Sequence, residues 1–178
     1  MSSAYRAIMP ILLVALSPQG HAAQGTLTFQ GTIEAVTCVV EPRGGLVAGA
    51  DMVVALPSIA QTHLDAAGQR GTPIPFHLII GSGAQPCDQP YVRALFSSAG
   101  DTNAAGRLSN RGSARNVEIV VSNPQLQDVD LSNNDNSQVV PIDDKGIGVL
   151  SWFATYYATA PTEPGSVTAR VLYTLTYP

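Results

Sequence analysis

The chain has 178 residues and a net charge of −4, with only 12% charged residues, about half the usual share. One ordinary domain fits that length, and the charge leaves no basic field for nucleic acid. Sixteen glycines and thirteen prolines, with abundant Thr and Val, favour strands and turns over helices.

In chain order, the first segment reads as a secretory signal. Arg6 precedes an apolar run, Ile8 to Leu16, broken only by Pro10. A polar, small-residue stretch comes next, with Gly20 and Ala22 at −3 and −1 of a cleavage site after Ala22; cleavage after Ala23 also fits. The run is shorter than the roughly 20 apolar residues that span a bilayer. Export gives Cys38 and Cys87, the only cysteines, a meaning. An isolated pair in an oxidising compartment predicts a disulfide, closing a loop of about 50 residues worth about 3–4 kcal/mol. A metal or thiol-catalytic role would need histidines nearby, and there are none.

Alternation with period two dominates the mature chain. Leu27, Phe29, Gly31, Ile33 and Ala35 share one face of a predicted strand, with Thr28, Gln30, Thr32 and Glu34 on the other. Val36 to Val40 continues extended until Pro42-Arg43-Gly44-Gly45. Further strands are predicted at Met52–Leu56, Ile74–Ile80, Tyr91–Phe96, Asn116–Val121 and Gln138–Ile142, the last at a sheet edge because of Pro141. His63 to Gly71 could form a short helical turn. Leu150, Trp152, Ala154, Tyr156 and Ala158 mark one face of a later strand. The last strand is the clearest: Val167, Ala169, Val171, Tyr173, Leu175 and Tyr177 fall on one side. Many short strands separated by turns predict an all-β sandwich of two packed sheets. Both ends of the mature chain are then apolar strands, each of which must pair with something.

Other groupings carry less chemistry. Asp128, Asp130, Asn133, Asn134, Asp135 and Asn136 hint at a calcium loop, but the glycine and the final glutamate of that loop are absent, so a solvated loop is expected. Arg107, Arg111 and Arg115 read as dispersed surface charge. Asp143-Asp144 before Lys145-Gly146 reads as a turn. After cleavage only His63 and His77 remain, and no nucleophile motif or metal-spaced cluster is visible. No enzymatic activity, cofactor or metal is expected.

The chain resembles the chaperone–usher fimbrial subunits, relatives of the type 1 and P pilus proteins. Four features carry the resemblance: Phe29-Gln30-Gly31 ahead of Cys38; Cys87 as second cysteine; Trp152 to Ala158 with Tyr156 and Tyr157; and a C-terminal motif with Tyr177 penultimate and Gly165 fourteenth from the end. The resemblance implies an immunoglobulin-like β-sandwich lacking its last strand, completed by a donor strand from another chain. It implies a signal peptide at 1–22, a donor-strand extension at 23–36 and a pilin domain at 37–178. Leu27, Phe29, Gly31, Ile33 and Ala35 would enter a neighbour's groove, with Gly31 where no side chain fits. The groove and chaperone-binding strand would comprise Trp152, Tyr156, Gly165, Val171, Tyr173, Leu175 and Tyr177. Partners would be copies of itself or related subunits, a periplasmic chaperone and an outer-membrane usher, on a route through the periplasm to a surface fimbria that supports adhesion. Pro178 lacks a backbone donor but still offers the terminal carboxylate that such chaperones grip. Two other readings stay open: a secreted binding module for carbohydrate or a host receptor, and a self-contained sandwich whose N-terminal strand folds into its own sheet.

Overall fold

A computed structural model describes residues 38–48, 51–97 and 100–178. The expected signal peptide and donor strand lie outside the described residues. Ten strands are present among them: β1 (Val40–Arg43), β2 (Leu46–Ala48), β3 (Asp51–Val53), β4 (Ile74–Ile80), β5 (Tyr91–Phe96), β6 (Leu108–Ser109), β7 (Arg115–Ser122), β8 (Val139–Pro141), β9 (Gly148–Glu163) and β10 (Tyr173–Thr176). They form a five-stranded sheet, β1-β4-β9-β7-β6, a three-stranded sheet, β10-β5-β8, and a β2-β3 hairpin. Every pairing within them is antiparallel.

The two larger sheets enclose the core because each strand alternates. In β5, Val92, Ala94 and Phe96 are buried while Tyr91 is exposed and Arg93 and Leu95 are half-buried. In β9, Leu150, Trp152, Ala154 and Ala158 are buried. The sheets meet at Trp152, which is 1% exposed and stacks on Phe76 at 5.5 Å, with Phe96 of the other sheet edge-on at 5.5 Å. Such aromatic pairs add about 0.5–1.5 kcal/mol to the area they bury.

Strands Ile74–Ile80 and Tyr91–Phe96 fall where the alternation places them. Others differ for identifiable reasons. Pro42, read from the sequence as the end of the first described strand, lies within β1 opposite Leu78. β1 is an edge strand of its sheet, where a missing N–H is tolerated. Gly44, at φ 99°, makes the turn instead. The Met52–Leu56 segment pairs only as far as Val53, and Val54 and Leu56 pack on the core without a ladder. The final strand, expected from Val167 onward, has regular pairing only in β10. The helical turn considered for His63 to Gly71 is displaced: a short 3-10 helix covers Gln61–His63, and residues 64–68 form bends and turns instead.

Cys38 and Cys87 are disulfide-bonded, with Cα atoms 5.2 Å apart. The pairing follows from the ladder. β1 runs against β4, so the residues before β1 meet those after β4, and the Gly81 amide donates to the Val39 carbonyl at 2.8 Å.

The arginines expected to be dispersed are paired. Arg107 meets Glu118 at 2.5 Å, Arg111 meets Asp101 at 2.6 Å and Arg115 meets Glu163 at 3.4 Å. Asp128 takes a two-pronged bond from Arg70 at 2.7 and 2.6 Å. Arg70 and Arg107 both stand over the Tyr157 ring, at 5.3 and 4.3 Å, and tie the segment before β4 to the five-stranded sheet. Asp130 accepts from the Ser132 amide and hydroxyl, in the manner of an Asx turn. Asp143 Oδ1 accepts from the amides of Lys145 and Ile147, closing the expected turn. His77 Nδ1 lies 2.9 Å from Ser151 Oγ on the outer side of the sheet.

Candidate functional site

The C-terminal segment builds the site. β9 runs sixteen residues because no turn residue stops it before Pro161 and Pro164-Gly165. Asn116, at φ 59°, sits at the irregularity in β7 opposite this end and donates to the Pro161 carbonyl at 2.8 Å. Gly165 then crosses the backbone of Ser113-Ala114 so closely that a Cβ would lie 2.6 Å from the Ser113 carbonyl carbon and 2.7 Å from the Ala114 Cα. This crossing requires glycine for want of space.

Beyond it, residues 166–172 run extended with one edge saturated. The carbonyls of Ser166, Thr168, Arg170 and Leu172 accept from the amides of Ala114 (3.0 Å), Arg111 (2.7 Å), Asp101 (3.2 Å) and Ser97 (2.9 Å). Side chains supply the matching acceptors. The Ser166 amide donates to Ser113 Oγ at 2.9 Å, the Thr168 amide to Asn110 Oδ1 at 2.8 Å and the Arg170 amide to Asp101 Oδ2 at 2.6 Å. An irregular loop cannot present a regular ladder, so short polar side chains stand in for backbone. This explains why regular pairing begins only at β10.

Successive peptides of an extended chain face opposite sides. The amides and carbonyls of Val167, Ala169 and Val171 therefore face away from the loop, and no described residue bonds to them. The side chains of Val167, Ala169, Val171, Tyr173, Leu175 and Tyr177 pack against the core yet stay only half-buried. Val54, Leu56, Cys38 and Val40 are also core-packed and incompletely covered. Among the described residues, the backbone groups of Val167, Ala169 and Val171 thus form a sheet edge without a partner strand above an apolar floor, a form suited to receiving one more strand.

Of the expected groove residues, Val171, Tyr173, Leu175 and Tyr177 lie together along this edge. Tyr156 is half-buried on β9 of the other sheet, and burial raises its phenol pKa. Trp152 lies in the closed core beneath, where its size supports the floor from below. Gly165 is at the entry to the segment. Asp101, Asn110 and Ser113, which position the strand, escaped the sequence reading. Their only signal was residue type, since Asp, Asn and Ser recur where side chains replace backbone partners. The Arg111 guanidinium, aided by the Arg170 amide, holds the Asp101 carboxyl below its ordinary range against the opposing effect of burial.

Comparison with known proteins shows the family and the fold. A model of the fimbrial protein family matches residues 27–178. The major fimbrial subunit SMF-1 of Stenotrophomonas maltophilia is 32% identical over 93% of this chain and 99% of its own. The F17 fimbrial protein of Escherichia coli is 29% identical over 96% of each. The P pilus rod subunit PapA shares the fold, with a TM-score of 0.55 at 18% identity over 86% of this chain and 100% of that one. The chain therefore belongs to the fimbrial protein family, as a structural subunit of a cell-surface fimbria and not an enzyme.

Proposed function

We propose that this subunit polymerises by donor-strand exchange. The extension at 23–36 of one copy, or of a related subunit, would pair with the edge that Val167, Ala169 and Val171 present on the next and lie over the apolar row that ends at Tyr177. Leu27, Phe29, Ile33 and Ala35 would face the apolar floor and Gly31 would pass its tightest point. Before assembly, a periplasmic chaperone would lend the missing strand and deliver the subunit to an outer-membrane usher. The finished fimbria would support adhesion. Strand addition of this kind is an established recognition mode among pilins.

One observation carries the reading: residues 166–172 are bonded on one side, while the amides and carbonyls of Val167, Ala169 and Val171 on the other have no bond to a described residue. Seating the extension buries four apolar side chains, and each large one is worth about 1.5–3 kcal/mol gross. The open peptides add bonds of about 1 kcal/mol net each, opposed by about 1–2 kcal/mol of backbone entropy per ordered residue.

The test is the state of the purified mature chain. Donation between chains gives concentration-dependent multimers that a peptide of residues 23–35 caps. Gly31→Arg should preserve folding of its own domain and block addition to a neighbour. A chain that stays monomeric at high concentration without a chaperone would overturn the proposal in favour of the self-contained sandwich.

A further inference from the structure

The face of the three-stranded sheet turned away from the core carries a cation without a partner among the described residues. Arg93 is the outward residue at the middle of the central strand β5, paired across to Val139 and Thr176. Its Nε is closed off from solvent, and no described residue accepts a hydrogen bond from it. The other described arginines differ. Five carry an ion pair, and Arg170 lies beside Asp101. Around Arg93 the same face exposes large apolar groups: Tyr91 at 48%, Val139 at 49% and Leu172 at 54%. A half-buried, unpaired guanidinium ringed by exposed apolar side chains resembles the centre of an interface more than an ordinary solvated surface.

The complement to this cation is on the same chain. Asp88, just before β5, and Asp144, just after β8, line one cleft at the end of the sheet, with Asp143 and Lys145. Asp88 and Asp144 are exposed, and no described residue hydrogen-bonds or ion-pairs with their carboxylates. Asp143 spends one carboxylate oxygen on its own turn, so the cleft is acidic in balance. A cation with an apolar rim and an acidic cleft, placed at different points of one surface, suit a head-to-tail contact between copies, which repeats along an array. Fimbrial subunits are held next to other subunits, so such a contact forms at high local concentration.

We propose that this face is a second contact between copies of this chain, separate from the strand groove, in which Arg93 of one subunit takes the Asp88 and Asp144 carboxylates of another. Its role is to pack subunits laterally in the fibre, where the groove joins them end to end.

Charge reversal tests it on assembled fimbriae. Arg93→Glu should leave the ladder of unheated, detergent-resistant polymers intact, because the groove is untouched. It should change fibre diameter and pitch in electron micrographs and cut the fraction of compact fibres several-fold. Arg93→Gln should do so more weakly, and added salt should loosen the wild-type fibre in the same direction. Combining Arg93→Glu with Asp88→Arg and Asp144→Arg should restore compact fibres. Three results would overturn the proposal. One is Arg93→Glu fibres with wild-type diameter and pitch. Another is a triple variant that fails to restore them. The third is loss of subunit yield or of the ladder itself with Arg93→Glu and Arg93→Gln alike, which would assign the face to folding or to a chaperone. Failure of strand exchange would instead remove the ladder from the wild type, so the two readings fail separately.

Discussion

Replacing Gly165 by alanine is the sharpest probe of the C-terminal architecture. The added methyl would sit 2.6 Å from the Ser113 carbonyl carbon and 2.7 Å from the Ala114 Cα, where ordinary contact begins near 3.4 Å. The obstructing atoms are backbone, so no side chain can rotate away, and the two chains must part by several tenths of an ångström. Overpacking of this kind costs about 1–3 kcal/mol. The separation also loosens the Ala114 to Ser166 bond at 3.0 Å and the Ser113–Ser166 pair, adding about 1 kcal/mol. A loss of about 2–4 kcal/mol in a domain of this size lowers Tm by roughly 4–16 °C. Thermal unfolding by circular dichroism, with the groove filled by a peptide of residues 23–35, measures it. Gly83→Ala is the control, because a Cβ there has no neighbour within 4 Å and its φ is unrestrictive. If Gly165→Ala melts within about 1 °C of Gly83→Ala, a shift well below that range, the close crossing does not constrain the strand and the reasoning fails.

Acid should weaken the fold below about pH 4. The carboxyls of Asp101, Asp128 and Asp130 are each held below their ordinary 3.8, chiefly by Arg111, Arg70 and Ser132 respectively. A depressed pKa stabilises above the unfolded value and is lost as pH falls through the folded one, so Tm should be steady from about pH 7 to 5 and fall below about 4; an unchanged Tm at about pH 3 contradicts this. Replacing both Cys38 and Cys87 by serine should lower the urea midpoint by the equivalent of about 3–4 kcal/mol. Free thiols detected in unfolded, unreduced protein would contradict the pairing. Asn110→Ala removes the acceptor for the Thr168 amide and the donor to the Ala114 carbonyl at 2.8 Å, and should cost about 1–3 kcal/mol. Faster amide exchange should be confined to residues 166–172; exchange that rises evenly across both sheets would refute a local role.

What was legible in the sequence was periodicity. Strands such as Ile74–Ile80 and Tyr91–Phe96 bury one face, and burial alone writes a period of two into the residues. The alternation of Val167 to Tyr177 was equally legible, since it records which side chains meet the core. What it does not record is the partner of each peptide, and here that partner is an irregular loop. The same limit hid β6, two residues long, and β2, too short for any period to show. Pro42 misled because proline forbids a donated bond and says nothing about edges, where none is needed. Spacing placed Arg107, Arg111 and Arg115 at the surface but could not name the acid that each meets in the fold. Asp101 and Arg170 are 69 residues apart and meet only through the fold.

The asymmetry of the C-terminal segment has a thermodynamic consequence. An edge strand held only by its other neighbour in a regular sheet would still twist and fray, and an incoming strand would have to order it. Here Asp101, Asn110 and Ser113 fix alternate amides with side chains, and loop amides fix alternate carbonyls. The segment is therefore held straight before anything binds. Its open peptides keep a strand's spacing, and the half-buried row from Val167 to Tyr177 keeps its facing. If a donor strand binds as proposed, ordering costs would fall on the incoming strand alone, which is the general advantage of a preorganised site. The same clamp would keep such an edge from collapsing while no strand fills it. Closing the groove would require Val167, Ala169 and Val171 to turn further inward, and that motion would break the bonds on the polar side. A variant carrying Asn110→Ala together with Ser113→Ala should therefore bind the 23–35 peptide more weakly than wild type at equal filled-state core packing. Calorimetry would show a larger unfavourable entropy, because the free edge is now loose. Equal entropies in the two proteins would mean that the clamp stabilises the domain without preparing the groove.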